Sequence, residues 1–235
     1  MYASHHAFVR GRRAFLAFAV AGSYTARARA VGPPPTTPRV DAAQALERLK
    51  AGNAAYVKAP ALCATRLQEQ RAELATHQAP WAMVLCCADS RVPPELVFGG
   101  LGPGQLFVAR NAGHVPDGAT LGTLEYACSV LGVALVVVLG HERCGAVTAA
   151  AAVVRDGARF PGFIDPLVEA IVPAARAVAD QPGDFVDNAV REHSRRTALD
   201  IATRSEAIAR GVAEGKVQVV AARYDLDSGR VEFLG

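Results

Sequence analysis

The chain reads as an α/β protein: a central, mostly parallel sheet flanked by helices, with a helical arm at its N-terminal side. Three observations predict this. The runs Trp81-Ala82-Met83-Val84-Leu85 and Ala134-Leu135-Val136-Val137-Val138-Leu139-Gly140 are β-prone and apolar throughout, as strands covered on both faces are. Segments of helical spacing lie before and between such runs. Two polar clusters, Cys87-Ala88-Asp89-Ser90-Arg91 and His141-Glu142-Arg143-Cys144, follow directly on the two runs. That places them at the carboxyl ends of core strands, where open α/β sheets carry their sites.

Composition bounds the rest. With 235 residues, 51% hydrophobic and 20% charged, the chain can bury the core of one domain. The formal charge of +3 comes from residues 1–30, which hold Arg10, Arg12, Arg13, Arg27 and Arg29 and no acid. The remainder carries 20 basic against 22 acidic residues, a net of −2. A nucleic-acid partner therefore has no electrostatic support. No apolar stretch is long enough to span a bilayer, so no stable membrane insertion is expected. The five cysteines, at 63, 86, 87, 128 and 144, are odd in number and lack framework spacing. Ligand or thiol chemistry suits them better than a disulfide scaffold.

Residues 1–30 read as an export signal. Arg12-Arg13-Ala14-Phe15-Leu16 has the twin-arginine arrangement, a short apolar segment follows to Gly22, and Ala28-Arg29-Ala30 is a small-x-small cleavage pattern. The expected location is periplasmic, or otherwise exported by this route. Such a route carries folded proteins and lets a metal be loaded beforehand. Residues 31–40, with Pro33, Pro34, Pro35 and Pro38, form an extended linker. The folded domain is 41–235.

Asp41 is placed to N-cap a first helix reaching about residue 57, with Ala42, Ala45, Leu46 and Leu49 at helical spacing and Gly52-Asn53 weakening its later part. A second helical piece covers about 66–76. Both pieces suit arms packed on the body or on another subunit. Pro80 introduces a strand over 81–86, and Gln78 stands just before it, able to reach over a site. The glycine-rich stretch 99–104 lacks the Lys-Ser/Thr of a phosphate loop and reads as a tight connection. A strand over 106–109 leads into Arg110-Asn111-Ala112-Gly113-His114, where His114 reads as a loop histidine lining the cleft or exposed. A helix over about 120–130 follows, then the strand 134–139. The stretch 165–179 is a helix interrupted by Pro173. The long helical region 184–211, rich in Arg, Glu and Ala, reads as mostly solvated. A strand over 216–224 turns through Asp227-Ser228-Gly229 into a last strand over 230–234.

The clusters carry the chemistry. Two thiolates and an imidazole, Cys87, Cys144 and His141, suit zinc, and three protein ligands leave a fourth position for water. The helix start at Gly145-Ala146-Val147 offers amide donors to the thiolate of Cys144. Adjacent Cys86 points to the opposite face of its strand and reads as a small buried hydrophobe. Asp89 and Arg91 form a pair in which the guanidinium forks the carboxylate and keeps it ionised. Held so, Asp89 can accept a hydrogen bond from the zinc water. Released, it could close the site as a fourth ligand.

Together these motifs make the chain resemble the β-class carbonic anhydrases. The resemblance is carried by Gly52-Asn53, Gln78-Ala79-Pro80, Cys87-Ala88-Asp89-Ser90-Arg91-Val92, Arg110-Asn111-Ala112-Gly113, Leu124-Glu125-Tyr126-Ala127, Gly140-His141-Glu142-Arg143-Cys144-Gly145 and the final hairpin from Tyr224. It covers about residue 41 to the end. It implies a homodimer or larger homo-oligomer with the site near the subunit interface. One zinc ion per chain is implied on Cys87, His141 and Cys144, with Asp89 and Arg91 as the catalytic pair. Gln78 matches a glutamine that orients substrate, and Phe107, Ala112 and Tyr126 fall where the family lines its narrow apolar pocket for carbon dioxide. The implied reaction is reversible hydration of carbon dioxide to bicarbonate and a proton. His114 stands where the family usually has asparagine and is a candidate proton shuttle. Val84 stands where one branch carries the tryptophan of an inhibitory bicarbonate site, which argues against that site. A carbon disulfide or carbonyl sulfide hydrolase on the same scaffold is one alternative, a zinc-binding protein without turnover another. A thiol redox protein fits less well, since no Cys-x-x-Cys occurs.

Overall fold

The computed structural model describes residues 40–59, 74–75 and 77–235. The export signal, the linker up to Val40 and most of the helical piece expected over 66–76 lie outside the described residues. Helix α1 spans Ala42–Lys58, and Asp41 caps it by accepting from the Gln44 N–H at 2.8 Å. Gly52-Asn53 does not weaken this helix. Gly52 lets the Phe98 carbonyl approach where a Cβ would clash. Asn53 donates to the carbonyls of Val97 and Gly229 and accepts from the Val231 N–H, so the pair bolts α1 to the body.

Among the described residues the sheet has strands β1 (Ala82–Cys87), β2 (Leu106–Asn111), β3 (Leu135–His141), β4 (Gln218–Tyr224) and β5 (Val231–Leu234), in spatial order β2-β1-β3-β4-β5. β1 to β4 pair in parallel, and β5 turns back antiparallel on β4. β1 and β3 are buried at every position, which is why their sequences show no polar alternation. Their side chains still divide between two faces. Val84 and Cys86 pack towards Ala45 and Leu49 of α1. Met83 and Leu85 pack against Leu124, Ala198 and Ile201 on the other side.

Among the described residues the other α-helices are α2 (Pro94–Val97), α3 (Gly118–Ser129), α4 (Gly145–Asp156), α5 (Ile164–Glu169), α6 (Val172–Ala177), α7 (Phe185–Arg204) and α8 (Glu206–Ala213). The 165–179 segment is two helices, and Pro173 lies in the first turn of α6, where its missing N–H is no loss. The expected solvated helix over 184–211 is corrected twice. Ser205 ends α7 and caps α8. Its supposedly wet surface buries Phe185, Ala189, Val190, His193, Ser194, Thr197, Ala198 and Ile201 against the sheet and its neighbours. None of the described helices is long and apolar enough to cross a membrane.

Candidate metal centre

β1 and β3 are neighbours in the sheet, and each ends on a proposed ligand, Cys87 and His141. Cys144 follows one turn later as the cap residue of α4. The Sγ atoms of Cys87 and Cys144 and a ring nitrogen of His141 all lie within 4.8 Å of one another, in a buried setting. The turn that brings His141 and Cys144 together is held from outside. Glu142 N–H donates to the Tyr224 carbonyl at 2.9 Å, and a Glu142 carboxylate oxygen accepts from Leu226 N–H at 3.1 Å. Arg143 sits at φ 51°, a left-handed conformation costly for a residue with a side chain, and forks Asp227 at 2.7 and 3.0 Å.

The protons are arranged for a cation. His141 Nδ1 lies 2.9 Å from the Glu142 carbonyl. A carbonyl only accepts, so Nδ1 carries the hydrogen and Nε2 keeps its lone pair. That Nε2 is buried and has no hydrogen-bond partner. A bare imidazole nitrogen facing two sulfurs 4.0 Å apart is a donor set that zinc fits. Cys87 is held down to about 4, first by the Cys144 thiol that donates to it, and also by the backbone N–H groups of Gly113, at 3.4 Å, and Asp89. Cys144 is correspondingly pushed up by its bond to Cys87 and by burial. The amides of Ala146 and Val147 favour its thiolate, though none makes a well-formed cap bond to the sulfur. One proton thus serves both sulfurs, and a bound metal would displace it.

Asp89 stands beside this trio, its Oδ2 3.8 Å from His141 Nε2. Arg91 holds it by a two-pronged bond, Nε to Oδ1 at 2.9 Å and Nη2 to Oδ2 at 2.7 Å, with the Arg91 N–H also on Oδ1. The guanidinium keeps the Asp89 carboxyl well below the usual carboxylate range. The pair expected from sequence is therefore formed, with Asp89 turned to Arg91.

Sequence reasoning missed Arg110. Its Nε donates to the Cys87 carbonyl at 3.0 Å and its Nη2 to the Asp89 carbonyl at 2.6 Å. The clamp fixes the backbone from which ligand and carboxylate project. Its signal was present, an arginine at the end of the strand beside Cys87, but the β1–β2 register that aligns Cys86 with Arg110 is tertiary information. His114 is a correction. It is neither exposed nor lining a cleft: the ring is fully buried, and burial holds it neutral, well below the ordinary histidine value. A group so enclosed is no proton shuttle to bulk water. Ala112 is exposed beside Gly113, and Gln78 is exposed with no described hydrogen bond to Asp89 or the trio. Phe107 and Tyr126 stack with ring centroids 6.0 Å apart, and Tyr126 is 40% exposed.

Comparison with known proteins decides the family. Residues 82–231 match the family model described as carbonic anhydrase. The chain is a member of the β-class carbonic anhydrases. It is 39% identical over 193 residues to carbonic anhydrase 2 of Mycobacterium tuberculosis, covering 82% of this chain and 93% of that one. It is 40% identical over 196 residues to a carbonic anhydrase of Mycolicibacterium smegmatis, covering 83% and 95%. Among solved structures, one of two tetrameric β-carbonic anhydrases from Sordaria macrospora superposes with a TM-score of 0.62 at 26% identity, over 82% of this chain and 98% of that one. This carbonic anhydrase is thus a zinc enzyme, with Cys87, His141 and Cys144 as its metal-binding group.

Proposed function

We propose that this β-carbonic anhydrase hydrates carbon dioxide with Asp89 and Arg91 as its working pair. The observation that carries the reading is the bare Nε2 of His141, within 4.8 Å of both sulfurs and 3.8 Å from an Asp89 already forked by Arg91. Cys87, His141 and Cys144 would hold the zinc. When bound, zinc supplies a Lewis acid that brings the pKa of a water ligand to about 7. Asp89, ionised because Arg91 holds it, accepts a hydrogen bond from the attacking water and aims its lone pair. Arg91 also keeps the carboxylate from closing the fourth position. Arg110 keeps the Cys87 and Asp89 backbone in register during the cycle.

Phe107, Ala112 and Tyr126 are the proposed walls for the uncharged gas, and Gln78 the donor to the nascent bicarbonate. Ala112, Tyr126 and Gln78 are exposed and Phe107 is half-buried; Phe107 lies on the edge strand β2 with Tyr126 of α3 against it, Ala112 follows that strand, and Gln78 precedes β1. That supports a homo-oligomer in which a second copy covers this edge and completes the pocket. The Sordaria relative described as tetrameric is consistent with it. Residues 1–30 would direct export, leaving a mature chain that starts at Val31, which N-terminal sequencing of the recovered protein would check.

The deciding experiment is stopped-flow hydration on protein whose zinc content has been measured, beside Asp89→Ala. The variant should keep its zinc and lose roughly 10²–10⁴-fold in kcat/KM. Full activity in Asp89→Ala, or no activity in the zinc-replete parent, would sink the reading.

A further inference from the structure

Two buried histidines take no part in the chemistry above. His114 and His193 pack with ring centroids 4.5 Å apart, and His193 is 3% exposed on the inner face of α7. Their hydrogen bonds fix their tautomers. Ser194 Oγ donates to the Val190 carbonyl at 2.9 Å, so towards His114 Nε2, 3.3 Å away, it accepts. His193 Nε2 lies 2.8 Å from the Gly113 carbonyl, which can only accept. Both rings therefore carry their proton on Nε2 and are neutral, as burial also favours.

Gly113 links this pair to the metal centre. Its carbonyl accepts from His193 Nε2–H, and its N–H donates to Cys87 Sγ at 3.4 Å. Gly113 has φ 72° and ψ 17°, and an added Cβ would come within 2.6 Å of Ile171 Cδ1. Glycine is required here, and glycine alone does not hold a direction. The next residue, His114, is also left-handed at φ 45°, a conformation that persists only where surroundings enforce it. The direction of the Gly113 N–H therefore depends on what grips its carbonyl. α7 comes close enough to do so because Gly140 leaves room for Ser194 and Val190 beside the end of β3.

We propose that His193 is a positioning residue of the metal centre: by tethering the Gly113 carbonyl it aims the Gly113 N–H at Cys87 Sγ, and so sets the direction of that sulfur and its grip on zinc. The proposal rests on Cys87, His141 and Cys144 being the zinc site. An N–H bond to a thiolate draws charge from the sulfur and holds its direction. Partners one layer out from a ligand commonly act on metal affinity in this way.

The test compares the parent, His193→Phe and His193→Gln. Zinc affinity is measured by competition with a chromophoric chelator, and the sulfur-to-metal charge-transfer band is read in cobalt-substituted protein. His193→Phe, which fills the space but cannot donate, should bind zinc roughly ten- to a hundredfold more weakly and shift the cobalt band to lower energy. His193→Gln, which keeps a donor, should recover most of both. Unchanged affinity and an unmoved band in His193→Phe overturn the proposal, as does an equal loss in the two variants, which would mark a packing role. If His193→Phe does not fold, the parent loaded with cadmium-113 decides. A scalar coupling from the metal to the Gly113 amide proton supports the bond to Cys87, and its absence overturns the proposal. A parent that binds no zinc in excess metal overturns the site as well, whereas tight binding in the parent and in His193→Phe alike overturns only the role of His193.

Discussion

Cys86 and Cys87 are consecutive, both buried and of one residue type, yet they belong to different chemical worlds. Cys86 lies on the α1 face of the sheet among Val84, Leu49 and Phe98, and burial pushes its thiol up to about 12. Cys87 lies on the other face, where the Cys144 thiol and the backbone N–H groups of Gly113 and Asp89 bring it down to about 4. Burial opposes the thiolate in both. The difference is that Cys87 faces donors, and donors outweigh desolvation when several converge on one sulfur. The two sides of the sheet differ likewise: the α1 side is an apolar contact, and the α4–α7 side carries a layer of polar groups behind the metal centre.

Replacing each cysteine in turn tests this contrast most severely. Cys87→Ser should abolish stoichiometric zinc binding and reduce hydration to background, as metal analysis and stopped-flow assays would read. Cys86→Ser should keep both, and instead lose about 1–3 kcal/mol in urea unfolding, the cost of burying a hydroxyl without a partner. Zinc loss from Cys86→Ser would erase the distinction.

Next in size is Arg91→Ala. Without its fork, the Asp89 carboxyl rises towards its ordinary value and is free to turn to the trio. Activity should fall roughly 10²-fold or more with zinc content unchanged. A variant as active as the parent would show that the fork is only a surface ion pair.

The polar layer also makes the α7 side acid-sensitive. His193 is held down to about 4 by burial, from 6.5, and His114 is depressed by burial and by the neighbouring His193 and His141. The unfolded chain therefore binds protons more readily than the folded one below pH 6.5. Stability is fully present above that value and is lost as pH falls towards 4, by on the order of 3 kcal/mol for His193 alone. Denaturant midpoints measured from pH 7 to 4.5 should fall accordingly. The double variant His114→Asn, His193→Gln should flatten that part of the slope. The smallest effect belongs to the other side: Asp41→Ala should cost about 1 kcal/mol through the lost cap of α1, with zinc binding untouched.

Much of this was legible in the residues, for a physical reason. β1 and β3 appear as unbroken apolar runs, because a strand buried on both faces must be apolar along its length. The ligand trio and the Asp89–Arg91 pair could be named because thiolates, imidazole and a forked carboxylate have no comparable use directly after core strands. Where the reading failed, the letters were ambiguous. The region holding His193 and Ser194 read as mostly solvated, yet both are buried, with hydrogen-bond partners in Gly113, His114 and Val190. Arg110 read as part of a motif, and acts as a clamp because β2 lies beside β1.

By itself, then, the amino-acid order determined what is set locally: strand and helix identity from periodicity, the cap at Asp41, and the side-chain types that can hold zinc and ionise a carboxylate. Only the folded structure decided which backbone groups meet those side chains. Hydrogen bonds such as His193 to Gly113 join residues 80 positions apart, and no local pattern encodes a partner that distant. The chemistry of Cys87 and the neutrality of His114 follow from such long-range pairings, since a pKa reports the surroundings of a group rather than its place in the chain.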